Sequence, residues 1–480
     1  MPSNGYKPIS FSTFANIVDG QPRKSSKSTF GVDPTTKQHL WEVPIASASD
    51  VDDAVVAAHR AFTGWKLTPW QERTEYLTRF KDAIKAHEED LITLLCRETG
   101  KPRGAAQREV QNCQMFADWH INLPEPKGDE YDLADRKIIH RCVPLGVCAA
   151  ICPWNFPVLL SLGKVLPALL MGNAIIVKPS TFTPYTTLKM VEIANLVFPP
   201  GLVQGLAGDE ALGPALVEHP DIQKISFTGS TTAGKKVMAA AAKTLKRVTL
   251  EMGGNDPAIV LPDADIEKAA FVIARGAFAN SGQVCIACKR IYAHSSIYQP
   301  FLEALVQATK SFTVDPTREE GLLIGPVQNT MQYEKVKTFF EDSKEKSYKF
   351  AYGSDAVPES AGGYIIRPAI LDNPPDNSKI VSEEPFGPIV PVQRYETVDE
   401  VVRRANASEA GLGATVFGSD PRVLSQVASQ LESGMVWING PPEAKPEAQF
   451  GGVKQSGIGT EFGTLGVLAY CNVKTITTYK

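Results

Sequence analysis

The chain has 480 residues, 43% of them hydrophobic and 21% charged, and a formal net charge of -4. That length calls for more than one domain, and the composition is that of a soluble globular protein. The near balance of charge gives no electrostatic footing for nucleic acid or an anionic membrane. Residues 1 to about 45 read as an irregular arm with short strands. Ser49 is the expected N-cap of an amphipathic helix, with Asp50, Asp52 and Asp53 in its first turn. A second helical pattern covers 69–97, broken by Thr99-Gly100-Lys101-Pro102, and a third runs over roughly 104–122. Trp65, Trp70 and Trp119 read as packing residues. Segments 129–143 and 470–479 read as strands with no helix after them, which suggests a small sheet that pairs with another subunit.

From Gly146 the pattern becomes strand then helix, repeated. Strands are expected over 147–151, 174–177, 202–206 and 225–227, with helices over 157–170, 184–197, 210–218 and 231–242. Such a series argues for a parallel sheet covered on both faces, with ligands beyond the carboxyl ends of its strands. The loops that matter are then 152–155, 178–180 and 228–230. A second strand-helix series starts at 258–261 and continues through 383–388, and the glycine-rich stretch 455–468 is expected to return to the first domain. The eight cysteines lack paired metal-ligand spacing, so no metal is expected, and free thiols in a reducing compartment are. The N-terminus lacks an apolar signal core. The longest uncharged run, 142–163, is broken by Pro144, Pro153, Asn155 and Pro157 and is no membrane span. The expected address is the cytoplasm.

The stretch 276–290 holds a thiol, Cys285, among small residues just after Ser281-Gly282. A lone cysteine is most often a small buried hydrophobe. An active thiol needs a base, an oxyanion donor and an electron acceptor, and the chain offers candidates for each. Glu251, at a strand end beside two glycines, suits a base whose affinity for its proton is raised by burial, or else a surface acid. Asn155, held between Trp154 and Phe156-Pro157, suits an oxyanion donor and equally a helix N-cap. Thr228-Gly229-Ser230 opens a helix and suits a phosphate, although it is no G-x-G-x-x-G fingerprint and a plain glycine turn with a Ser cap reads as well. Lys178 suits a ribose hydroxyl or phosphate, or is a solvated lysine at a strand end.

Taken together, and in this order, Pro153-Trp154-Asn155-Phe156-Pro157, Lys178-Pro179-Ser180, Phe227-Thr228-Gly229-Ser230, Glu251-Met252-Gly253-Gly254, Gly282-Gln283-Val284-Cys285, Glu383-Glu384-Pro385-Phe386-Gly387-Pro388 and Phe450-Gly451-Gly452-Val453-Lys454 resemble the aldehyde dehydrogenase superfamily over nearly the whole chain. The resemblance implies an α/β fold: a Rossmann-like cofactor-binding domain (1–128 and 145–252, with 456–469 returning to it), an α/β catalytic domain (253–455) carrying the nucleophilic cysteine, and a small β oligomerisation element (129–144 and 470–480) that makes a homodimer or homotetramer. It implies a hydrolytic enzyme in which Cys285 attacks an aldehyde, Asn155 and the Cys285 N–H meet the oxyanion, and hydride leaves for NAD, or NADP. Glu251 then activates water on the thioester, with Lys164 and Glu461 beside it as a proton relay. Ile151, Pro153, Trp154, Lys178, Ser180, Thr181, Gly208, Phe227, Gly229, Ser230, Met252, Glu384 and Phe386 are implied around the cofactor. Trp154, Phe156, Leu160, Gly163, Val284, Ile286 and Phe450 are implied around the aldehyde.

Departures from the family pattern bear on specificity. Thr181 stands where NAD-selective members often carry Glu, so NADP use is open. Thr460 stands where Arg is common, which puts one salt bridge in doubt, and Met252 replaces Leu with little change of volume. Gly163 stands where many relatives place a bulky side chain, which predicts a roomy apolar tunnel for aromatic or medium-chain aliphatic aldehydes. Glu443 in the mouth loop would favour an amino-aldehyde instead. Cys288 reads as a packing residue, with a redox pairing to Cys285 as the alternative. Competing readings are a coenzyme A-acylating dehydrogenase, against which Glu251 argues, a thiol hydrolase, and a silent binding or structural relative.

Overall fold

The computed structural model describes residues 8–312, 324–357 and 362–480. Five strands form the parallel heart of the first sheet, in the spatial order Val203–Gly205, Ala174–Lys178, Val147–Ile151, Lys224–Thr228, Arg247–Glu251. Every residue of Val147–Ile151 and Ala174–Lys178 is buried, as strands covered on both faces require. Helices Pro157–Leu170, Tyr185–Ala194, Leu212–Glu218 and Thr231–Ala241 make the connections. The chain enters the parallel part of this sheet in the middle, at Val147–Ile151, steps outward to Val203–Gly205, and resumes on the other side at Lys224–Thr228. The loops leaving Val147–Ile151 and Lys224–Thr228 therefore part from each other, and a crevice opens between them. Antiparallel strands close the edges, Asn16–Val18 with Gln21–Arg23 on one side and Gly457–Ile458 on the other. The glycine-rich tail thus comes back to this sheet.

The second sheet runs Phe350–Tyr352, Ala369–Asp372, Ile389–Tyr395, Arg290–His294, Pro257–Val260, Gly413–Phe417, Met435–Ile438, with only the first of these strands antiparallel to its neighbour. The loops that enter its three central strands, at Pro257, Arg290 and Ile389, carry the residues that meet the first sheet. In a third sheet Cys471–Tyr479 lies antiparallel to Arg136–Pro144, which pairs with Glu130–Asp132. The two strands without helices thus pair with each other inside one chain, and the segment expected as one strand over 129–143 is a hairpin.

Two helix expectations are corrected. The first helix, Ala48–Trp65, is capped by Ser47, not Ser49. The Ser47 hydroxyl accepts from the Asp50 N–H, and the Asp50 carboxylate accepts from the Ser47 N–H at 2.8 Å, a reciprocal box that needs its acid three residues on. The pattern over 69–97 is two helices, Trp70–Ala86 and Glu88–Thr99, divided at His87. Glu88, Glu89 and Asp90 fill the first turn of the second, where acids complement the exposed N–H groups. Among the described residues no helix is long and apolar enough to cross a membrane.

Candidate active site

Helix Ile266–Phe278 ends in a turn in which Asn280, Ser281 and Gly282 all take left-handed φ, at 53°, 59° and 70°. Non-glycine residues adopt this region rarely, and it persists only where the surroundings fix it. Here they do. The Ser281 hydroxyl donates to the Gly325 carbonyl at 2.5 Å, the Gln283 amide donates to the Asn280 carbonyl at 2.8 Å, and the Gln328 N–H donates to the Gln283 side-chain oxygen at 2.8 Å. A Cβ at Gly282 would stand 2.2 Å from the Gly387 carbonyl oxygen. The turn delivers Cys285 to the wall of a cleft of about 170 Å³. From the opposite wall the Asn155 side-chain amide donates to the Gln283 carbonyl at 3.1 Å. One of its two N–H bonds ties the loops together, and the second makes no bond among the described residues. Asn155 is not a helix cap. The N-terminus of Pro157–Leu170 is held instead by Glu109, which accepts from the Val158 and Leu159 N–H groups at 3.1 and 3.3 Å.

Glu251 is buried and is not among the residues that line the cleft, and both of its carboxylate oxygens lack a hydrogen-bond partner. Burial, and then the charge of Glu461, hold it well above the usual carboxylate range, with Lys164 opposing. Lys164 is fully buried, ion-paired with Glu461, and donates to the Thr228 hydroxyl at 2.7 Å. The Ser226 hydroxyl donates to the same Glu461 oxygen at 2.8 Å. Cys285 is partly exposed to the cleft, and its apolar setting pushes the thiol up to about 12, with Lys289 pulling the other way. Burial thus favours the protonated form of both the thiol and the acid.

The expected cofactor residues divide between two cavities along the strand ends. Ile151, Lys178, Thr181 and Phe227 line one of about 430 Å³, together with Asp209, Glu210 and Lys236. Pro153, Trp154, Gly229, Ser230, Met252, Glu384 and Phe386 line the cleft with Cys285. Trp154 and Phe386 meet edge to face at 5.4 Å. An elongated ligand fits this layout: a sugar beside Lys178, an anionic middle at the N-terminus of Thr231–Ala241, which Ser230 caps, and a flat ring beside the sulfur. Ser180 and Gly208 line neither cavity. The Ser180 hydroxyl accepts from the Phe182 N–H at 3.2 Å, and a Cβ at Gly208 would stand 2.8 Å from Leu212.

Of the expected aldehyde-lining residues, Trp154 and Leu160 line the cleft. Phe156 lies under the Lys101 ammonium, 3.8 Å from its ring centre, and Ile286 and Phe450 are core residues. Val284 packs against that same core. Gly163 does not open a roomy tunnel: a Cβ there would stand 2.7 Å from Phe462, whose buried ring fills the space. Glu443 is ion-paired with Lys445 at 3.2 Å, which removes the free anion that an amino-aldehyde would seek. Cys288 sits in the core of the second sheet, its sulfur 3.7 Å from the Thr415 hydroxyl, as a packing residue does. Thr460 donates through its hydroxyl to the Phe450 carbonyl at 2.9 Å.

A model of the aldehyde dehydrogenase family matches residues 22–476. The chain belongs to the aldehyde dehydrogenase family. Aldehyde dehydrogenase LUC3 from Fusarium sp is 45% identical over 472 residues, covering 98% of this chain and all of that one. Among solved structures, an E. coli NADP dependent enzyme superposes with a TM-score of 0.95 at 32% identity, covering 98% of this chain and 99% of that one. The NAD+ complex of a Bacillus cereus aldehyde dehydrogenase gives 0.93 at 33% identity, covering 97% and 96%. This aldehyde dehydrogenase is thus an NAD(P)-dependent oxidoreductase with the fold of its family. Sequence reading missed Lys101, Glu109, Asp209 and Lys289. Lys101 was visible only as part of a helix-breaking tetrapeptide, and nothing in the sequence pattern singled out the other three.

Proposed function

We propose that this aldehyde dehydrogenase oxidises an aldehyde to the carboxylic acid through a covalent Cys285 intermediate. The observation that carries the reading is the facing of two loops: Asn155 bonded to Gln283, two residues from the sulfur, in a cleft that also holds Glu384 and Phe386. The Cys285 thiol releases its proton to solvent, the thiolate sulfur adds to the aldehyde carbon, and the negative oxygen so formed is met by the remaining Asn155 N–H and the Cys285 backbone N–H. The nicotinamide, when bound, supplies the hydride acceptor, and a thioester remains on Cys285. Lys178 serves the adenosine ribose, Ser230 the pyrophosphate, and Glu384 with Phe386 the nicotinamide half. Glu251 removes a proton from water admitted to its buried space, the water oxygen bonds to the thioester carbon, and the C–S bond breaks to release the acid and the Cys285 thiolate, while Lys164 and Glu461 carry the proton onward. Trp154, Leu160, Met252 and Phe386 give the cleft apolar walls, which favours an aromatic or medium-chain aliphatic aldehyde.

On the cofactor, Asp209 stands near enough to Lys178 to act on its charge. It supplies beside Thr181 a carboxylate that disfavours a 2′-phosphate, so we read a preference for NAD. The working boundaries are cofactor binding over 1–128, 145–252 and 456–469, catalysis over 253–455, and assembly through 129–144 and 470–480. Val473 and Tyr479 are 67% and 71% exposed on an edge strand with one neighbour, which supports a homo-oligomer joined there. The test is reduced-nicotinamide absorbance with a panel of aldehydes, with NAD and then NADP, beside Cys285→Ala. Production by the wild type alone supports the reading; no production with any aldehyde, or equal production by the variant, rejects it.

A further inference from the structure

Three loops lie side by side because the strands they enter are neighbours: Pro257–Val260, Arg290–His294 and Ile389–Tyr395 are adjacent and parallel. Asp256, Lys289 and Glu384 therefore meet directly behind the thiol. The Lys289 side chain is 2% exposed, its ammonium ion-pairs with Glu384 at 2.8 Å, and it donates to the backbone carbonyl of Cys285 itself. The Lys289 N–H donates to the Asp256 carbonyl at 3.0 Å, and both Asp256 carboxylate oxygens are buried without a hydrogen-bond partner. Glu384 in turn is pressed against Gly253, where a Cβ would stand 2.3 Å from its oxygen. Burying an ammonium is costly unless it is paired and bonded. This one is both, and its two partners are the nucleophile's own backbone and an acid of the cleft wall.

We infer that Lys289 is a positioning residue for aldehyde oxidation, a buried ammonium that fixes Glu384 against the cleft and favours the anionic form of the Cys285 sulfur. The inference rests on Cys285 being the nucleophile. The charged groups that face the sulfur are Lys289, Asp256, Glu384 and, from the first sheet, Glu251. Lys335, from helix Thr330–Glu345, faces Glu384 and Lys289 from the far side of the cleft. Of the four groups that face the sulfur, Lys289 is the cation and the other three are acids. Burial works against its charge, but Glu384 and Asp256 outweigh burial and keep it protonated. Removing the cation and removing the Glu384 anion must then move the thiol in opposite directions.

The test is the rate of iodoacetamide alkylation of the full chain against pH, with the adduct on Cys285 located by mass spectrometry. Lys289→Met is expected to slow alkylation at pH 8 by about tenfold, the equivalent of about one pH unit in the thiol. Lys289→Arg restores most of the rate, and Glu384→Gln raises it above wild type. An unchanged pH profile in Lys289→Met overturns the inference. If Lys289→Met does not fold, Glu384→Gln decides alone, and an unchanged or slower alkylation overturns it. Alkylation needs neither aldehyde nor cofactor, so a failure of the oxidation reading is seen separately, in the absence of reduced nicotinamide from the wild type.

Discussion

Gly163→Ala tests how closely the tail segment packs beside the cleft. A methyl group there would lie 2.7 Å from Phe462 Cε1, against an ordinary carbon–carbon contact of roughly 3.5–4.0 Å. Phe462 has no room to retreat: its ring meets Phe116 at 4.7 Å and Phe450 at 5.5 Å, and its backbone is held at a φ of 54°. Two terms oppose each other in this substitution. Helix propensity favours alanine by about 1 kcal/mol, and overpacking against a fixed ring costs about 1–3 kcal/mol. With so deep an overlap the second wins, and a net loss of about 1–2 kcal/mol is expected. Phe462→Leu alone loses about 2 kcal/mol by leaving space. In the double variant each change relieves the other, and a favourable coupling of about 1 kcal/mol or more is expected. Urea unfolding of the four proteins closes the cycle. Additive losses would refute the reasoning, as would a stabilised Gly163→Ala. Turnover of a short and a long aldehyde gives a second readout. Their ratio should stay unchanged in Gly163→Ala, because the glycine faces packed core.

Asn155→Ala should lower kcat by about 10²–10³-fold through loss of an oxyanion donor; a change confined to KM would reject that role. Asp209→Gly should raise kcat/KM with NADP relative to NAD, and an unchanged ratio would place cofactor selection elsewhere. Asp256 is held up to about 7 by burial, above its ordinary 3.8. The folded chain therefore binds that proton more tightly than the unfolded one, and the stability it contributes is full below about 3.8 and lost as pH rises through about 7. Asp256→Asn lacks this loss. Its melting temperature should gain on wild type between about pH 5 and pH 8, and a constant difference would show that burial does not govern the group.

The strand-helix series from Val147 onward was legible because strands buried on both faces are apolar throughout and the helices between them repeat. The motifs around Cys285, Asn155 and Glu251 were legible because each joins an uncommon residue to a turn it needs. What sequence could not show was anything decided across long separations. Gly163 read as open space, and the ring that fills it comes from Phe462, almost three hundred residues away. Glu251 read as either a buried base or a surface acid, and it is the burial of its strand end, next to the distant Glu461, that decides for the first. The break at His87 was hidden because residues on both sides of it keep a helical apolar spacing.

The tail that re-enters the first sheet at Gly457–Ile458 also sets a timetable. A ribosome makes the chain from its N-terminus, so Glu461 and Phe462 emerge almost three hundred residues after Lys164 and Gly163. Until they do, Lys164 has no buried partner and the face beside Gly163 is bare. Any product stalled or clipped before Glu461 carries Cys285, Asn155 and Glu251 yet lacks the ion pair and the ring that the tail supplies. The first sheet is thus completed only after the second has been made, and an unfinished chain exposes to quality control the apolar surface that the missing ring would cover.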